Sequence, residues 1–500
     1  MSTDSGYLLG IDIGTSGTKA VVIDTAGKIH GLAQRSYGID SPRPDWAEQD
    51  PDVYWQSTVE TVREAAAQCG SAGSVEAIGF SGQMHGTVLV TGEGKPLRPA
   101  IIWCDRRTTE EVSEICEVVG RERLARLTCN PVAVGFMAAS LVWLNKHEPQ
   151  VLSSAAAVML PKDYVRLKMT GQVATDASDA SSTLLFDTAN RRWSREMLDL
   201  LGLPASLFPR CAESPEVAGH LTKDSAAALG LPHGIPVAYG GGDQPIQAVG
   251  NAVIAPGTAS STIGTGGQFF TPVTEPFYDP HLRTHTFCHA VPGVWNVMGA
   301  SLCAGMALDW FRRALAPESS FDDLCAEAAE VPAGAHGLIF LPYLIGERTP
   351  HMDPHAAGVL FGLRPLHTRG HIVRAIMEGV TFALRDSLEI IRSLGINMTE
   401  VIASGGGSES SLWMQMQADV FRLPVRRSLA TQQAAVGAAL VGGVAAGIYD
   451  TVSNACAAAV KIEGTPVLPD ERTSVAYEKN YEIFRELYPA NRRLFARVAG

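Results

Sequence analysis

Two short glycine-rich loops, each set between apolar runs, lie about half the chain apart. The first follows Leu9-Gly10-Ile11-Asp12-Ile13 and reads Gly14-Thr15-Ser16-Gly17-Thr18-Lys19. The second follows Ser261-Thr262-Ile263 and reads Gly264-Thr265-Gly266-Gly267-Gln268. Apolar, β-branched runs around so short a polar turn predict β-hairpins. Loops of this kind can offer backbone N–H groups and threonine hydroxyls to an oxyanion. Two copies predict two related lobes facing one phosphate-bearing ligand. Neither loop is a Walker G-x-x-x-x-G-K-[ST] element or a G-x-G-x-x-G dinucleotide loop, so those folds are excluded.

A chain of 500 residues exceeds one ordinary core, which also favours two domains. The boundary is expected near residue 255, giving domains 1–255 and 256–500. With 46% hydrophobic and 18% charged residues the chain is globular rather than disordered. A net charge of −12 argues against nucleic acid and anionic membranes as partners. Nine scattered cysteines without a C-x-x-C pair read as reduced thiols in a cytoplasmic protein. Residues 1–6 show no basic stretch leading into an apolar run, which argues against a secretory signal. The apolar, Gly/Ala-rich segment 434–449 is too short to span a bilayer and reads as a buried helix.

Helical spacing predicts helices over 51–68, 306–315 and 370–391, the last being the longest expected in the chain. Strands are expected at 74–79, 235–239, 294–298 and 401–404. Ser410 is the expected N-cap of a helix reaching residue 421. The tail from Val467, with alternating charges and aromatics, is expected to form a terminal surface helix.

Among chemistry-bearing residues, Asp12 lies mid-strand between two isoleucines and points opposite to them. A carboxylate there is costly unless it is paired or binds a metal, and hard-oxygen ligation of Mg²⁺ beside a phosphate tail suits it. Gly240-Gly241-Gly242-Asp243-Gln244 places a second carboxylate just after a strand, where glycines let a substrate approach the backbone. Such a group can take a hydroxyl proton during phosphoryl transfer. Ser81-Gly82-Gln83-Met84-His85-Gly86 and Ile102-Trp103-Cys104-Asp105-Arg106-Arg107 each combine a polar loop or aromatic platform with hydrogen-bonding groups suited to a polyol. His281, His285 and His289 are spaced by four, but Thr284, Thr286 and Phe287 favour a strand there, so no metal site is expected.

Together these residues resemble the FGGY family of carbohydrate kinases, within the actin, hexokinase and Hsp70-like ATPase superfamily. The segment Gly358-Val359-Leu360-Phe361-Gly362-Leu363, seven further residues, then His371-Ile372-Val373-Arg374-Ala375-Ile376-Met377-Glu378 fits that family's C-terminal signature. The Asp12 loop, the triple glycine with Asp243 and the Gly405–Gly407 run follow in the family's order. Gln83-Met84-His85-Gly86 resembles the branch that phosphorylates D-xylulose. Gln244 stands where that branch often has Asn, which keeps another ketose, a polyol or gluconate open as the acceptor.

The resemblance implies an α/β, two-domain fold of duplicated ribonuclease H-like units with an interdomain cleft. ATP and Mg²⁺ would sit mainly against the C-terminal domain and the sugar against the N-terminal one. Asp243 would be the catalytic base and Asp12 the metal-binding carboxylate. Met84, His85, Gly86, Trp103, Asp105 and Gln244 would face the sugar. Thr15, Ser16, Lys19, Gly264, Thr265, Gly266, Gly305, Gly406 and Gly407 would contact the nucleotide. A homodimer is compatible with the family. The rival reading is an ATPase of the same superfamily that acts on no sugar.

Overall fold

The computed structural model describes residues 6–69 and 74–498, so Met1–Ser5 of the N-terminal reading lie outside it. The buried run Leu8, Leu9, Ile11 and Ile13 forms β1 (Tyr7–Ile13) at the centre of the first sheet. The chain turns back as β2 (Gly17–Ile23) and again as β3 (Ile29–Ser36), an antiparallel meander. After helix α1 (Pro51–Gln68), β4 (Val75–Gly82) runs parallel to β1 on its other side. β5 (Val217–His220) and β6 (Pro236–Ala238) complete the order β5-β6-β4-β1-β2-β3. Gly241–Gly242 then pairs briefly with β4 before α2 (Asp243–Gly250).

The second half repeats this plan. β7 (Thr258–Ile263) and β8 (Gly267–Val273) form the second hairpin, with β9 (His285–Cys288) and β10 (Trp295–Ser301) beyond it. Helices α3 (Gly305–Leu315) and α4 (Arg369–Ser393) precede β11 (Glu400–Ser404). Then come α5 (Ser411–Phe421), β12 (Val425–Arg427) and α6 (Gln433–Ala445). The order is β9-β10-β8-β7-β11-β12, so β10-β8-β7-β11-β12 repeats β3-β2-β1-β4-β6. In both, the meander is followed by parallel neighbours. The two hairpins are thus equivalent positions of one duplicated α/β unit, as the sequence predicts.

Two helices link the units, α6 and α2. α6 follows the second sheet but lies on the first, its alanines and Leu440 clustering with Leu8, Val21 and Ala77. Glycines make the approach: a Cβ at Gly10 would fall 1.8 Å from the carbonyl oxygen of Ala435, and one at Gly79 1.8 Å from that of Ala438. Conversely α2 follows the first sheet, and its Ala248 clusters with Phe270, Met298 and Ile402 of the second. The Gly/Ala-rich segment is therefore a buried helix, and no helix among the described residues is long and apolar enough to cross a membrane.

The tail differs from the expectation. α7 (Glu471–Val498) has 28 residues against 25 for α4, so it is the longer helix. It lies on the surface, as expected, with one face turned inward. Tyr477, Tyr481, Phe484, Tyr488 and Phe495 pack into the core of the second lobe. These aromatics are spaced by three, four or seven residues and so form one stripe, while the charges between them fill the opposite face.

Candidate active site

Asp12 is the penultimate residue of β1, across from Lys19 on β2 and beside Ser81 on β4. Ile11 and Ile13 face the core and Asp12 faces away, as alternation requires. Burial pushes its carboxyl pKa up, with Lys19 opposing. Its Oδ1 is buried and has no hydrogen-bond partner among the described residues. Asp12 and Lys19 share a cavity of about 240 Å³ with Gln247 and residues 431–435 at the start of α6. A bare carboxylate oxygen among amide and hydroxyl groups fits the hard-oxygen shell of Mg²⁺.

A second cavity, of about 420 Å³, opens between the lobes. Thr15, Met84, His85, Trp103, Asp243 and Gln244 form its first-lobe side. Thr265–Gln268, His285, Phe287, Met298 and residues 300–302 form much of the other. The first glycine loop is tied to the aromatic platform. Trp103 Nε1–H donates to Thr15 Oγ1 (2.8 Å), and Gln49 Nε2–H donates to the Thr15 carbonyl (2.7 Å). Gln49 in turn receives a bond from Gln83 Nε2 (2.9 Å).

His85 sits at φ +71°, an uncommon left-handed conformation for a residue with a Cβ. Its backbone N–H donates to Ser182 Oγ (3.3 Å), and its Nδ1 lies 2.8 Å from the Ser182 carbonyl oxygen. A carbonyl only accepts, so Nδ1 carries the proton and Nε2 is left as an acceptor. Burial lowers the imidazole pKa to about 3, so the ring is neutral at physiological pH. His285 is built alike. Its Nδ1 is 3.1 Å from Asn130 Oδ1, an oxygen that also accepts from the Thr286 N–H, and burial lowers its pKa to about 3.

Asp243 opens α2 directly after the triple glycine. A Cβ at Gly242 would fall 2.8 Å from Met84 Cγ, so the bare backbone lets the Met84 loop lie against this turn. Burial, reinforced by Asp12, pushes the Asp243 carboxyl up to about 7. A base poised near neutral pH suits proton abstraction from an alcohol.

A third cavity, of about 670 Å³, adjoins the second through Thr265 and Met306. Gly264, Gly305, Gly406 and Gly407 line it with Leu308, Phe321 and Trp413. α3 begins against the second glycine loop: the Gly305 N–H donates to the Gly264 carbonyl (2.8 Å) and the Ala304 N–H to that of Thr265 (3.0 Å). Ser410 Oγ accepts from the Trp413 N–H and caps α5, as expected. Apolar walls ending in a glycine-lined neck suit a nucleoside with a phosphate tail.

Most expected residues come together, with six differences. Asp105 does not reach the second cavity; its carboxylate accepts from Arg107 and from the Ala47 N–H (2.6 Å). Arg107 stacks on Trp46 rather than joining Trp103. Gly86 lies under Pro161, outside the cavity wall. Thr15 faces the second cavity rather than the third, and Ser16 is exposed at the hairpin tip. Nor do the loops offer all their N–H groups: the Gly14 N–H is spent on the Gly17 carbonyl and that of Gly264 on Gly266 (both 3.0 Å). Sequence reading missed His285 as a wall residue, Gln268, Met298 and Arg348. His285 had a signal, its place on a strand beside Phe287.

The N-terminal domain of the FGGY family of carbohydrate kinases matches residues 7–250, and its C-terminal domain matches residues 259–446. The chain is 35% identical to a xylulose kinase of Bacillus subtilis over 96% of both chains. It is 37% identical to one of Escherichia coli over 96% of this chain and 98% of that one. The solved xylulose kinase of Rhodospirillum rubrum superposes with a TM-score of 0.91 at 32% identity, over 98% of this chain and 100% of that one. The chain belongs to the FGGY family of carbohydrate kinases.

Proposed function

We propose that the chain transfers the terminal phosphoryl group of ATP to D-xylulose, giving D-xylulose 5-phosphate and ADP, with Asp243 as general base. The observation that carries the reading is Asp243 in the wall of the acceptor cavity, buried and with its pKa raised to about 7. The terminal hydroxyl of the sugar gives its proton to this carboxylate as its oxygen attacks phosphorus, and the bond to the leaving ADP oxygen breaks. His85 and His285 each offer a neutral acceptor nitrogen for sugar hydroxyls, and Trp103 a flat face. Thr265, common to the acceptor and nucleotide cavities, stands where the transferred group must pass. Asp12 would hold Mg²⁺, which supplies charge neutralisation on the phosphate tail when bound. The full-length likeness to xylulose kinases supports D-xylulose as the acceptor. Replacing Asp243 with Asn is expected to lower turnover by at least ~10² with the melting temperature unchanged. Near-normal turnover in that variant sinks the assignment.

A further inference from the structure

The acceptor cavity holds a guanidinium. Arg348 lies in the wall on the second-lobe side. The residues on either side of it are clamped to the end of β10. The Glu347 carboxylate accepts from Ser301 Oγ (2.6 Å) and from the Leu302 N–H (2.9 Å). The Thr349 N–H donates to the Ala300 carbonyl (2.9 Å), and Thr349 Oγ1 accepts from the Ala300 N–H (3.2 Å). The backbone of Arg348 is therefore fixed at the cavity.

Its side chain is half-buried, and its guanidinium makes no hydrogen bond or ion pair among the described residues. It stands 5.7 Å from the ring centre of Trp103. Its charge opposes protonation of both His85 and His285. A partly desolvated guanidinium without an acceptor is costly, and its five N–H groups leave a donor surface unfilled.

The rest of the wall says what should fill it. His85 and His285 have committed their N–H groups, and each leaves a nitrogen that only accepts. Trp103 has spent its N–H on Thr15. Sugar hydroxyls can serve the two imidazoles. A keto oxygen has no proton to give and needs a donor, and the unspent charged donor in this wall is Arg348.

We infer that Arg348 is a substrate-binding residue supplied by the nucleotide-side lobe, donating hydrogen bonds to the carbonyl oxygen of a ketose acceptor beside Trp103. This rests on the sugar-kinase reading and adds how the acceptor is told from a polyol. It also means that the sugar is held from both lobes.

The test compares wild type with Arg348→Met and Arg348→Lys, using D-xylulose as substrate and xylitol, its carbonyl-free analogue, as competitive inhibitor. Losing a charged donor to the keto oxygen should raise KM for D-xylulose about 10- to 100-fold in Arg348→Met, while the Ki of xylitol moves by less than about 3-fold. Arg348→Lys should recover part of the KM loss. ADP affinity and melting temperature should match wild type, which separates a lost contact from a damaged loop. An equal loss for D-xylulose and xylitol, or a fall in kcat at unchanged KM, overturns the carbonyl contact. A wild type that releases no ADP with any ketose overturns the functional reading itself, and this inference with it.

Discussion

Gly437 and Ile246 meet where helices α6 and α2 cross: a Cβ at Gly437 would fall 2.1 Å from the carbonyl oxygen of Ile246. Gly250 does the same in reverse, with Gln433 O 1.9 Å from its own missing Cβ. α2 and α6 therefore touch backbone to backbone, and this crossing joins the lobes behind the Gly240–Asp243 turn.

Any side chain at Gly437 must push the helices apart. Gly437→Val is expected to destabilise the protein by at least the ~1–3 kcal/mol usual for overpacking. It should also depress activity, because Asp243 begins α2 three residues before Ile246. Chemical denaturation and turnover on one preparation check both. A variant with wild-type stability and turnover contradicts the crossing.

Lys162 is fully buried among three carboxylates: Nζ lies 2.6 Å from Asp163 Oδ1, 2.6 Å from Asp176 Oδ1 and 3.3 Å from Asp179 Oδ2. Arg166 adds a second cation 3.0 Å from Asp163. Burial holds the Asp179 carboxyl well above the usual carboxylate range, with the nearby Lys162 opposing. The network reaches the site: Ser178 Oγ donates to Asp176 and accepts from the Gly242 N–H (3.2 Å). Lys162→Met leaves buried carboxylates facing a single arginine and should cost about 3–5 kcal/mol in urea denaturation. A loss below about 1 kcal/mol, no more than an exposed ion pair is worth, contradicts this.

His289 gives a pH test. Its Nε2–H donates to the Val253 carbonyl and its Nδ1 accepts from the Val291 N–H (both 3.1 Å), so protonation breaks the second bond. Burial lowers its pKa from 6.5 to about 4. The unfolded chain therefore binds a proton that the folded one refuses. The penalty starts as pH falls through 6.5 and levels off near 4, where it amounts to about 3 kcal/mol. His289→Gln should lose less stability than wild type between pH 6.5 and 4. Parallel stability curves for the two proteins over that range contradict the assignment.

The hairpins, the Asp12 strand, α1, the Ser410 cap and the Gly/Ala-rich helix were legible because each rests on local chemistry: a turn, an alternation, a cap, a run of small residues. What the chain brings together from afar was not. Asp105 looked like a sugar ligand because nothing in its own segment reveals that the distant Ala47 N–H joins Arg107 in claiming its oxygens. His285 and Arg348 enter the cavity from a sheet edge and a clamped loop of the other lobe. The aromatic stripe of α7 was readable at helical spacing, but the charges between its members hid it.

The central claim is that this chain phosphorylates a sugar, and D-xylulose in particular. The most direct measurement is ADP release by the purified protein with Mg²⁺ and ATP, against D-xylulose, other pentuloses, pentitols, glycerol and gluconate, with the product identified by mass. ADP release should depend strongly on D-xylulose, with one phosphoryl group gained by the sugar. ADP release indifferent to every acceptor would contradict it.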